Sequence, residues 1–439
     1  MTPERPQVVV IGTGYVGLTT AACLTHLGHH VVGIDVDADK IAALRRGEVP
    51  IVEAGLTQLV ARGFVSGRLR FETSYTHADG DVVLLCLPTP TTPAGDLDLS
   101  YVERAARQLR TVLRPGAIVV TKSTVPVGTH RKLTRWLDRP DLAVAANPEF
   151  LREGTAVHDF CNPDRVVIGA ADRMVAERIA SLYETLPAPI LLTDPSSAEL
   201  IKFAANTFLA TKLSFVNEIS RVCEATGGDI DEVIAGVGGD RRIGNAFMTP
   251  GPGWGGSCFP KDTRGMRALG ERHGLDLPMV RAAMTSNDAH IDHIASTIVA
   301  CAPRPLPEVT VAVWGATFKA GTDDCRESPA LEIVRRLVAA GAGVRMFDPA
   351  ARPSLVGVEN CGDLYDACDG ADLLVVTTEW PEFAEADLGE VAHLLSTPSV
   401  LDTRSVLDPV TAAAAGLMLR RPGHRDAHPA DVELAGVAR

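Results

Sequence analysis

The chain has 439 residues, of which 46% are hydrophobic and 22% charged, so it is globular and long enough for two or three domains. Its formal net charge of -13 argues against a nucleic-acid-binding surface, because phosphate recognition needs clustered lysines and arginines. The nine scattered cysteines include no C-x-x-C pair and no apolar run reaches about 18 residues, which predicts a cytoplasmic protein with reduced thiols, no metal site, no export signal and no membrane span.

The first half alternates short β-branched runs with amphipathic stretches, which predicts a parallel sheet covered by helices. Asp37 is a candidate cap for a helix that ends near Gly47, and Ser100 for one that runs to Leu113. The predicted strands are Val8–Ile11, Val31–Asp35, Val82–Cys86, Ile118–Thr121 and Leu142–Ala145.

A G-x-G-x-x-G motif lies between the first predicted strand and the next helix, where glycines let the backbone approach a pyrophosphate. Asp35 ends the second strand, where an acid bonds ribose hydroxyls and repels a 2′-phosphate, so we expect NAD rather than NADP. FAD uses the same fingerprint and is the alternative. Lys40 either weakens the exclusion of NADP slightly or is an exposed helix lysine. The expected cofactor-binding residues of this region are Gly12, Gly14, Tyr15, Val16, Gly17, Asp35 and Lys40.

A different pattern follows Pro195, where about thirty residues without proline or internal glycine predict one long helix. Ser196 and Glu199 have the spacing of a capping box, and Gly227 with Gly228 supplies the stop. Such a helix would span roughly 45 Å, which favours a domain-linking and dimer-forming role over a helix buried within one domain. A loop rich in glycine and proline comes next, and helical sequence then continues to about Cys301.

The last third predicts a second doubly wound sheet, built from the runs VTVAVWG, GVRMFDP, LLVVTT and VLDT. A helix starts at Ser328-Pro329 and ends at Gly341. The turn after the first of these runs, at residues 314–318, lacks the three-glycine pattern, so we do not expect a second dinucleotide site. The predicted fold is α/β, with Rossmann-like domains at residues 1–195 and 301–439 joined by a central helical segment, residues 196–300.

Six ordered motifs over nearly the whole chain resemble those of the UDP-glucose/GDP-mannose dehydrogenase family. They follow the run CLPTP at Cys86 and comprise KSTVPVGT at Lys122, NPEFLREG at Asn147, PDRVVIG at Pro163, the helix carrying Lys202 and Asn206, GGSCFPKD at Gly255 and FKAGTDDCRES at Phe318. The resemblance implies an NAD domain, a central dimerisation segment and a UDP-binding domain.

The resemblance also implies a four-electron oxidation of a primary alcohol to a carboxylate, with two NAD molecules as acceptors and a homodimer that shares its active sites. UDP-glucose is the expected substrate, and the alternatives are GDP-mannose or a UDP-N-acetylhexosamine. Cys258 would hold the intermediates as a thiohemiacetal and then a thioester, a task suited to a thiolate. Two other interpretations are a two-electron hydroxyacid-type dehydrogenase and an inactive NAD-binding regulator.

The remaining roles come from the resemblance. Lys202 and Asn206, four residues apart on one helix face, would stabilise the oxyanion; by residue type alone Lys202 would be a solvated lysine. Asp262 and Thr124 would hold the catalytic water, with Glu149 assisting hydrolysis; alternatively, Asp262 only caps a helix. Further cofactor contacts are Thr89, Thr124, Glu153, Lys261 and Arg326. The expected substrate contacts are Glu149, Phe150, Leu151, Arg152, Glu153, Lys202, Asn206, Phe247, Met248, Thr249, Pro250, Gly251, Gly255 and Lys319, with Arg242, next to Arg241, reaching the partner's site and Trp254 forming an aromatic wall.

Overall fold

The computed structural model describes residues 6–424, which form two compact units. The first comprises residues up to Ala205 together with Arg264–Asp276, and the second comprises Asn206–Thr263 together with residues from Leu277. Each unit contains one largely parallel sheet with helices, so the predicted α/β class with two Rossmann-like folds is confirmed. The division at residues 195 and 300 stays a prediction.

The first unit is built on an eight-stranded sheet. Its strands are β1 (Gln7–Ile11), β2 (His30–Ile34), β3 (Leu69–Glu72), β4 (Val82–Leu85), β5 (Ile118–Thr121), β6 (Ala143–Ala146), β7 (Val166–Ala170) and β8 (Ile190–Thr193). Its helices are α1 (Tyr15–His26), α2 (Ala38–Arg45), α3 (Leu56–Val65), α4 (Ser100–Leu109), α5 (Thr129–Leu137), α6 (Ala156–Cys161) and α7 (Arg173–Ala180).

The strand order is β3-β2-β1-β4-β5-β6-β7-β8, and every neighbouring pair is parallel except β6 with β7. On β1, Val8 and Val10 belong to the apolar core on one face of the sheet, and Val9 and Ile11 to the core on the other. A strand buried on both faces needs apolar residues at every position, which explains the continuous β-branched runs. The strand order reverses between the parallel strands β1 and β4, and the carboxyl ends of these strands therefore form the crevice where such folds bind ligands.

The second unit repeats this order in six parallel strands, β11-β10-β9-β12-β13-β14. Its strands are β9 (Thr310–Trp314), β10 (Gly343–Phe347), β11 (Val358–Asn360), β12 (Leu373–Val376), β13 (Ser399–Asp402) and β14 (Met418–Arg420). Its helices are α9 (Ile230–Gly238), α11 (Pro278–Cys301), α12 (Pro329–Ala339), α13 (Leu364–Cys368), α14 (Pro381–Ala384), α15 (Leu388–Leu394) and α16 (Pro409–Ala414). The helices α8 (Pro195–Thr226) and α10 (Phe259–Arg272) each contribute residues to both units. No helix within residues 6–424 is long and apolar enough to cross a membrane.

Two predicted helix starts are wrong. Ser100 is the first residue of α4 rather than its cap, and its N–H donates to Asp98 Oδ1 (2.8 Å), while the helix ends at Leu109 instead of Leu113. The capping box at Ser196 does not form either. Asp194 accepts from the Ser197 N–H (3.0 Å), and the Glu199 carboxylate instead accepts from backbone N–H groups at the start of α5. Long-range pairing outweighed the local pattern at Glu199.

Candidate active site

The glycine motif forms a tight loop between β1 and α1. Gly12 has a φ of +90°, and a Cβ there would lie 2.4 Å from the Cys86 carbonyl oxygen. A Cβ on Gly17 would lie 1.8 Å from the Gly12 carbonyl oxygen, so this position also requires glycine. A Cβ on Gly14, by contrast, would meet no heavy atom within 4 Å. The loop therefore presents open backbone at the N-terminus of α1, and a dinucleotide pyrophosphate fits it in shape and charge.

Asp35 lies directly after β2, as predicted. Its Oδ2 accepts from the Thr13 N–H (2.9 Å) and from Lys40 Nζ (3.1 Å), so Lys40 is an ion-pair partner and not an exposed helix lysine. Burial raises the pKa of Asp35, but hydrogen bonds from Thr13, Asp37 and Lys40 hold it below its usual range. The carboxylate is therefore charged at neutral pH. A neighbouring cavity of about 560 Å³ is lined by Thr13, Gly14, Tyr15, Asp37, Asp39, Lys40, Ala43, Pro50 and Ile51.

Glu149 and Lys202 form a buried ion pair, with Lys202 Nζ 3.1 Å from Glu149 Oε1. The two residues are only 7% and 3% exposed, so the interpretation of Lys202 as a solvated lysine is wrong. Burial raises the pKa of Glu149, but the attraction of Lys202 and the Leu151 N–H (2.6 Å) lower it below its usual range. Lys202 also lies 5.4 Å from the ring centre of Phe150. The pair fixes the start of the loop that contains the predicted substrate residues 149–153.

Leu151 and Arg152, which follow in the same loop, point to different surroundings. Leu151 packs against the apolar core, whereas the exposed Arg152 is bound to Asp159 of α6 (2.6 Å). Nearby, the Thr89 hydroxyl donates to the Thr124 carbonyl oxygen (2.8 Å), which joins the segments that follow β4 and β5. Both threonines are buried at the carboxyl edge of the sheet, where the predicted cofactor lies.

In the second unit, Cys258 immediately precedes α10, and its carbonyl oxygen accepts from the Asp262 N–H (2.9 Å). Its Sγ lies 3.5 Å from the Ser257 hydroxyl. The partial positive charge at a helix N-terminus stabilises a thiolate. Gly256 has a φ of +81°, and its missing side chain makes room for the Phe318 ring, about 2.8 Å from where a Cβ would stand. The thiol is therefore held on a constrained turn and is half-buried.

Asp262 is fully buried on the first turn of α10. Its Oδ2 accepts from Asn206 Nδ2 (2.6 Å) and its Oδ1 from Lys261 Nζ (2.5 Å). The interpretation of Asp262 as a helix cap is wrong, because both carboxylate oxygens bind side chains. Lys202 and Asn206, one helical turn apart, engage different carboxylates, and their joint action on one oxyanion stays a prediction.

Helices α8 and α11 anchor the loop that precedes Cys258. The Gly251 N–H donates to Asn217 Oδ1 (3.0 Å), and His290 Nε2 lies 2.8 Å from the Gly251 carbonyl oxygen. Burial lowers the pKa of His290 to about 4, so the ring is neutral and donates here. Trp254 is 7% exposed, and its indole N–H donates to the Ser214 hydroxyl (2.9 Å). Trp254 therefore also holds the loop in place.

Phe247 and Met248 begin this loop. Phe247 has a φ of +60° and packs edge-on against Phe259, with 6.2 Å between ring centres, while Met248 is buried. Thr249 is exposed and Pro250 is half-buried. Gly255 is required by close packing, because a Cβ there would lie 2.0 Å from the Glu327 carbonyl oxygen.

Arg404 contacts segments that carry predicted substrate residues, although the sequence interpretation did not name it. Its Nη2 donates to the Phe318 carbonyl oxygen (2.9 Å), and its Nη1 lies 3.0 Å from the position of a Cβ on Gly251. It thus connects two segments that contain predicted substrate residues, Gly251 and Lys319. The available signal was its position just after the run VLDT, because ligands bind at the carboxyl ends of parallel strands.

Two predicted arginines lie on the surface. The Arg242 side chain is 88% exposed and bound to Asp240 (2.6 Å), and Arg326 is 68% exposed and bound to Asp324 (2.6 Å). The described residues contain no group of three or more His, Cys, Asp or Glu side chains placed to hold a metal ion.

Known proteins are similar to this chain over most of its length. Family models of the UDP-glucose/GDP-mannose dehydrogenases match the NAD binding domain at residues 6–187, the central domain at 196–289 and the UDP binding domain at 312–409. A UDP-glucose 6-dehydrogenase of Rhizobium meliloti is 40% identical, over 96% of this chain and 100% of the relative. A UDP-glucose dehydrogenase structure from Pyrobaculum islandicum superposes with a TM-score of 0.87 at 35% identity, covering 97% and 99% of the two chains. A UDP-D-ManNAc dehydrogenase structure from Pyrococcus horikoshii gives 0.86 at 28% identity, covering 96% and 100%.

Proposed function

This chain belongs to the UDP-glucose/GDP-mannose dehydrogenase family, and on that premise we propose that it oxidises UDP-glucose to UDP-glucuronate through Cys258. The observation that carries the proposal is the placement of this thiol at the start of α10, one turn before Asp262, which binds Asn206 and Lys261. The name of the relative that is 40% identical over 96% of the chain favours UDP-glucose over an N-acetylated sugar. NAD is the cofactor, and the glycine loop with charged Asp35 fits it.

When bound, NAD accepts one hydride in each of the two oxidations. Between them, the Cys258 thiolate adds to the aldehyde carbon and forms a thiohemiacetal, which holds the intermediate on the enzyme. Loss of the second hydride leaves a thioester, and water then releases the acid and restores the thiol. In balance, one UDP-glucose, two NAD and one water give UDP-glucuronate, two NADH and three protons.

We assign the remaining tasks to side chains that the family motifs single out. The Asn206 amide has two N–H groups, and since Asp262 fixes one of them, the amide is preorganised to donate the other to an oxyanion. Lys202 supplies a buried positive charge beside Phe150. Glu149 stays ionised and pairs with Lys202. We therefore assign Glu149 to holding the Lys202 ammonium in place, in preference to a role in proton transfer. The active form belongs in the cytoplasm, where thiols stay reduced.

We also propose that the enzyme is a homodimer. Phe208, Phe215 and Val222 lie seven residues apart on α8, and they are 65%, 47% and 53% exposed. A seven-residue spacing places them on one face of the helix, where a second copy of that helix would cover them. The 88% exposed Arg242 side chain is free of the core and fits the proposed contact with the partner's site.

The test compares wild type with Cys258→Ser, using NADH formation from UDP-glucose, GDP-mannose and UDP-N-acetylhexosamines. Wild type should form two NADH per UDP-glucose. The serine variant should make acid at least about 100-fold more slowly, because a serine hydroxyl is a much weaker nucleophile than a thiolate. Cys301→Ser is the matched control and should keep the wild-type rate. Near-normal acid formation by Cys258→Ser, or a sugar adduct on another cysteine by mass spectrometry, would defeat the mechanism; turnover of another sugar alone would change only the substrate.

A further inference from the structure

Glu53 is a buried carboxylate outside the predicted site. It lies in the connection between α2 and α3 and is 8% exposed. Its Oε2 accepts a hydrogen bond from the Tyr15 hydroxyl, and its Oε1 accepts from the Val157 N–H (3.3 Å) at the start of α6. A buried carboxylate is stable only when its oxygens are bonded, so Glu53 ties these two segments together.

Tyr15 extends this connection to the substrate loop. It belongs to the glycine motif, and its hydroxyl donates to Glu53 while accepting from the Gly154 N–H (2.8 Å). Burial, reinforced by the hydrogen bond to Glu53, raises the pKa of Tyr15, so the hydroxyl keeps its proton and remains a donor. Gly154 has a φ of +82°, and its N–H follows directly after the predicted cofactor contact Glu153. One chain of hydrogen bonds therefore joins Gly154, Tyr15 and Glu53.

We propose that Glu53 and Tyr15 are positioning residues that hold the loop 149–154 in its binding-competent conformation, and so set the affinity for NAD and for the sugar nucleotide together. Tyr15 lines the cavity beside the glycine loop, whereas Glu149 at the other end of loop 149–154 is fixed by Lys202. The loop is thus held at both ends, by an ion pair at Glu149 and by a hydroxyl at Gly154. The sugar half of this proposal rests on the proposed function, and the NAD half does not.

The expected effect follows from preorganisation. If the loop is competent for only a fraction of the time, the apparent dissociation constant rises by the reciprocal of that fraction. A hydrogen bond to a charged group is strong enough to shift such an equilibrium about tenfold. Saturating ligands still select the competent loop, so kcat should hardly change.

Tyr15→Phe is the direct test, since it keeps the ring and removes both hydroxyl hydrogen bonds. We expect the Kd for NAD, measured by calorimetry without sugar, to rise about tenfold, the KM for UDP-glucose to rise similarly, and kcat to stay within about twofold. Tyr15 and Val157 donate to different oxygens of Glu53, and Glu53→Gln replaces one of these oxygens by an NH2 donor, so it should act in the same direction. The double variant should be no worse than Tyr15→Phe alone, because both changes break one connection. Tyr101→Phe and Glu103→Gln on α4 are matched controls, because Tyr101 is exposed and Glu103 is paired with Arg107, and both should bind NAD as wild type does.

An unchanged Kd and KM in Tyr15→Phe, with or without a lower melting temperature, would overturn the proposal and leave the contacts merely structural. Independent, multiplying effects of Tyr15→Phe and Glu53→Gln would also overturn it, as would a fall in kcat at unchanged KM. If Glu53→Gln does not fold, Tyr15→Phe alone decides. If UDP-glucose is not turned over at all, the calorimetric Kd for NAD still tests the positioning role, so the two failures are distinguishable.

Discussion

Replacing Lys202 by methionine should destabilise the first unit strongly and in a pH-dependent way. Methionine has a similar length but no charge, so it leaves the Glu149 carboxylate, which is 7% exposed, with its hydrogen bond from the Leu151 N–H but without its ion-pair partner. Breaking a buried pair on one side costs about 3–5 kcal/mol. The remaining hydrogen bond favours the lower end, about 3 kcal/mol, which for a unit of this size corresponds to a fall of roughly 6–12 °C in Tm.

The pH dependence supplies a sharper test. In wild type the folded pKa of Glu149 is below its unfolded value, so the stability from this group is present above about pH 4.3 and is lost only as the pH falls through the folded pKa. Without Lys202, burial dominates and should raise the pKa of Glu149 above the unfolded value. Stability is then lost as the pH rises, so the difference in Tm between Lys202→Met and wild type should be larger at pH 7.5 than at pH 5.5.

Calorimetric melting at both pH values measures this difference. The double variant Glu149→Gln with Lys202→Met buries no charge, so it should melt closer to wild type than Lys202→Met does and show little dependence on pH. Lys132→Met removes an exposed lysine from α5 and should change Tm by about 2 °C or less. An equal loss at both pH values, or a double variant as unstable as the single one, would refute the buried-pair argument.

Three further predictions concern cofactor and assembly. Wild type should use NAD with a higher kcat/KM than NADP. Asp35→Ser removes the charged acceptor and frees its partner Lys40, so it should shift the ratio of the two kcat/KM values toward NADP by about tenfold or more. Equal wild-type efficiencies with NAD and NADP would contradict the role of Asp35. Phe208→Glu should convert dimers to monomers in size-exclusion light scattering, whereas Val356→Glu, also at an exposed position, should not; a dimeric Phe208→Glu would exclude this face. An equal mixture of Arg242→Ala and Cys258→Ala chains should recover about a quarter of the wild-type rate. About half of the dimers are then heterodimers, and each heterodimer has one complete site of its two. Proven subunit exchange without recovery would rule out shared sites.

Local pattern was sufficient for most strands of the two sheets and for the cofactor loop. A strand covered on both faces must be apolar throughout, so β1, β2, β4 and β5 were visible in the sequence as continuous runs. Gly12 and Gly17 are required by contacts within their own turn and with the neighbouring strand end, and that requirement gives the motif a fixed spacing. Asp35 was located because the end of β2 lies at a set distance from that motif. The strands β3 and β8 were missed because they are short and partly exposed. The strand β7 was also missed, although it is a fully buried apolar run like β1.

Candidate site residues could be proposed from the sequence, because the family motifs carry them, but the partners that these side chains contact could not. Glu149 lies 53 residues from Lys202 in the sequence, and Asn206 lies 56 residues from Asp262; no local rule links either pair. The same holds for Arg404 beside Phe318 and for Glu199, whose local spacing favoured the wrong cap. A sequence pattern shows on which side of its own helix or strand a residue lies, since that depends only on the periodicity of the element. The charge state of Glu149 depends on burial and on a cation brought there by the fold, and the tertiary structure alone decides it.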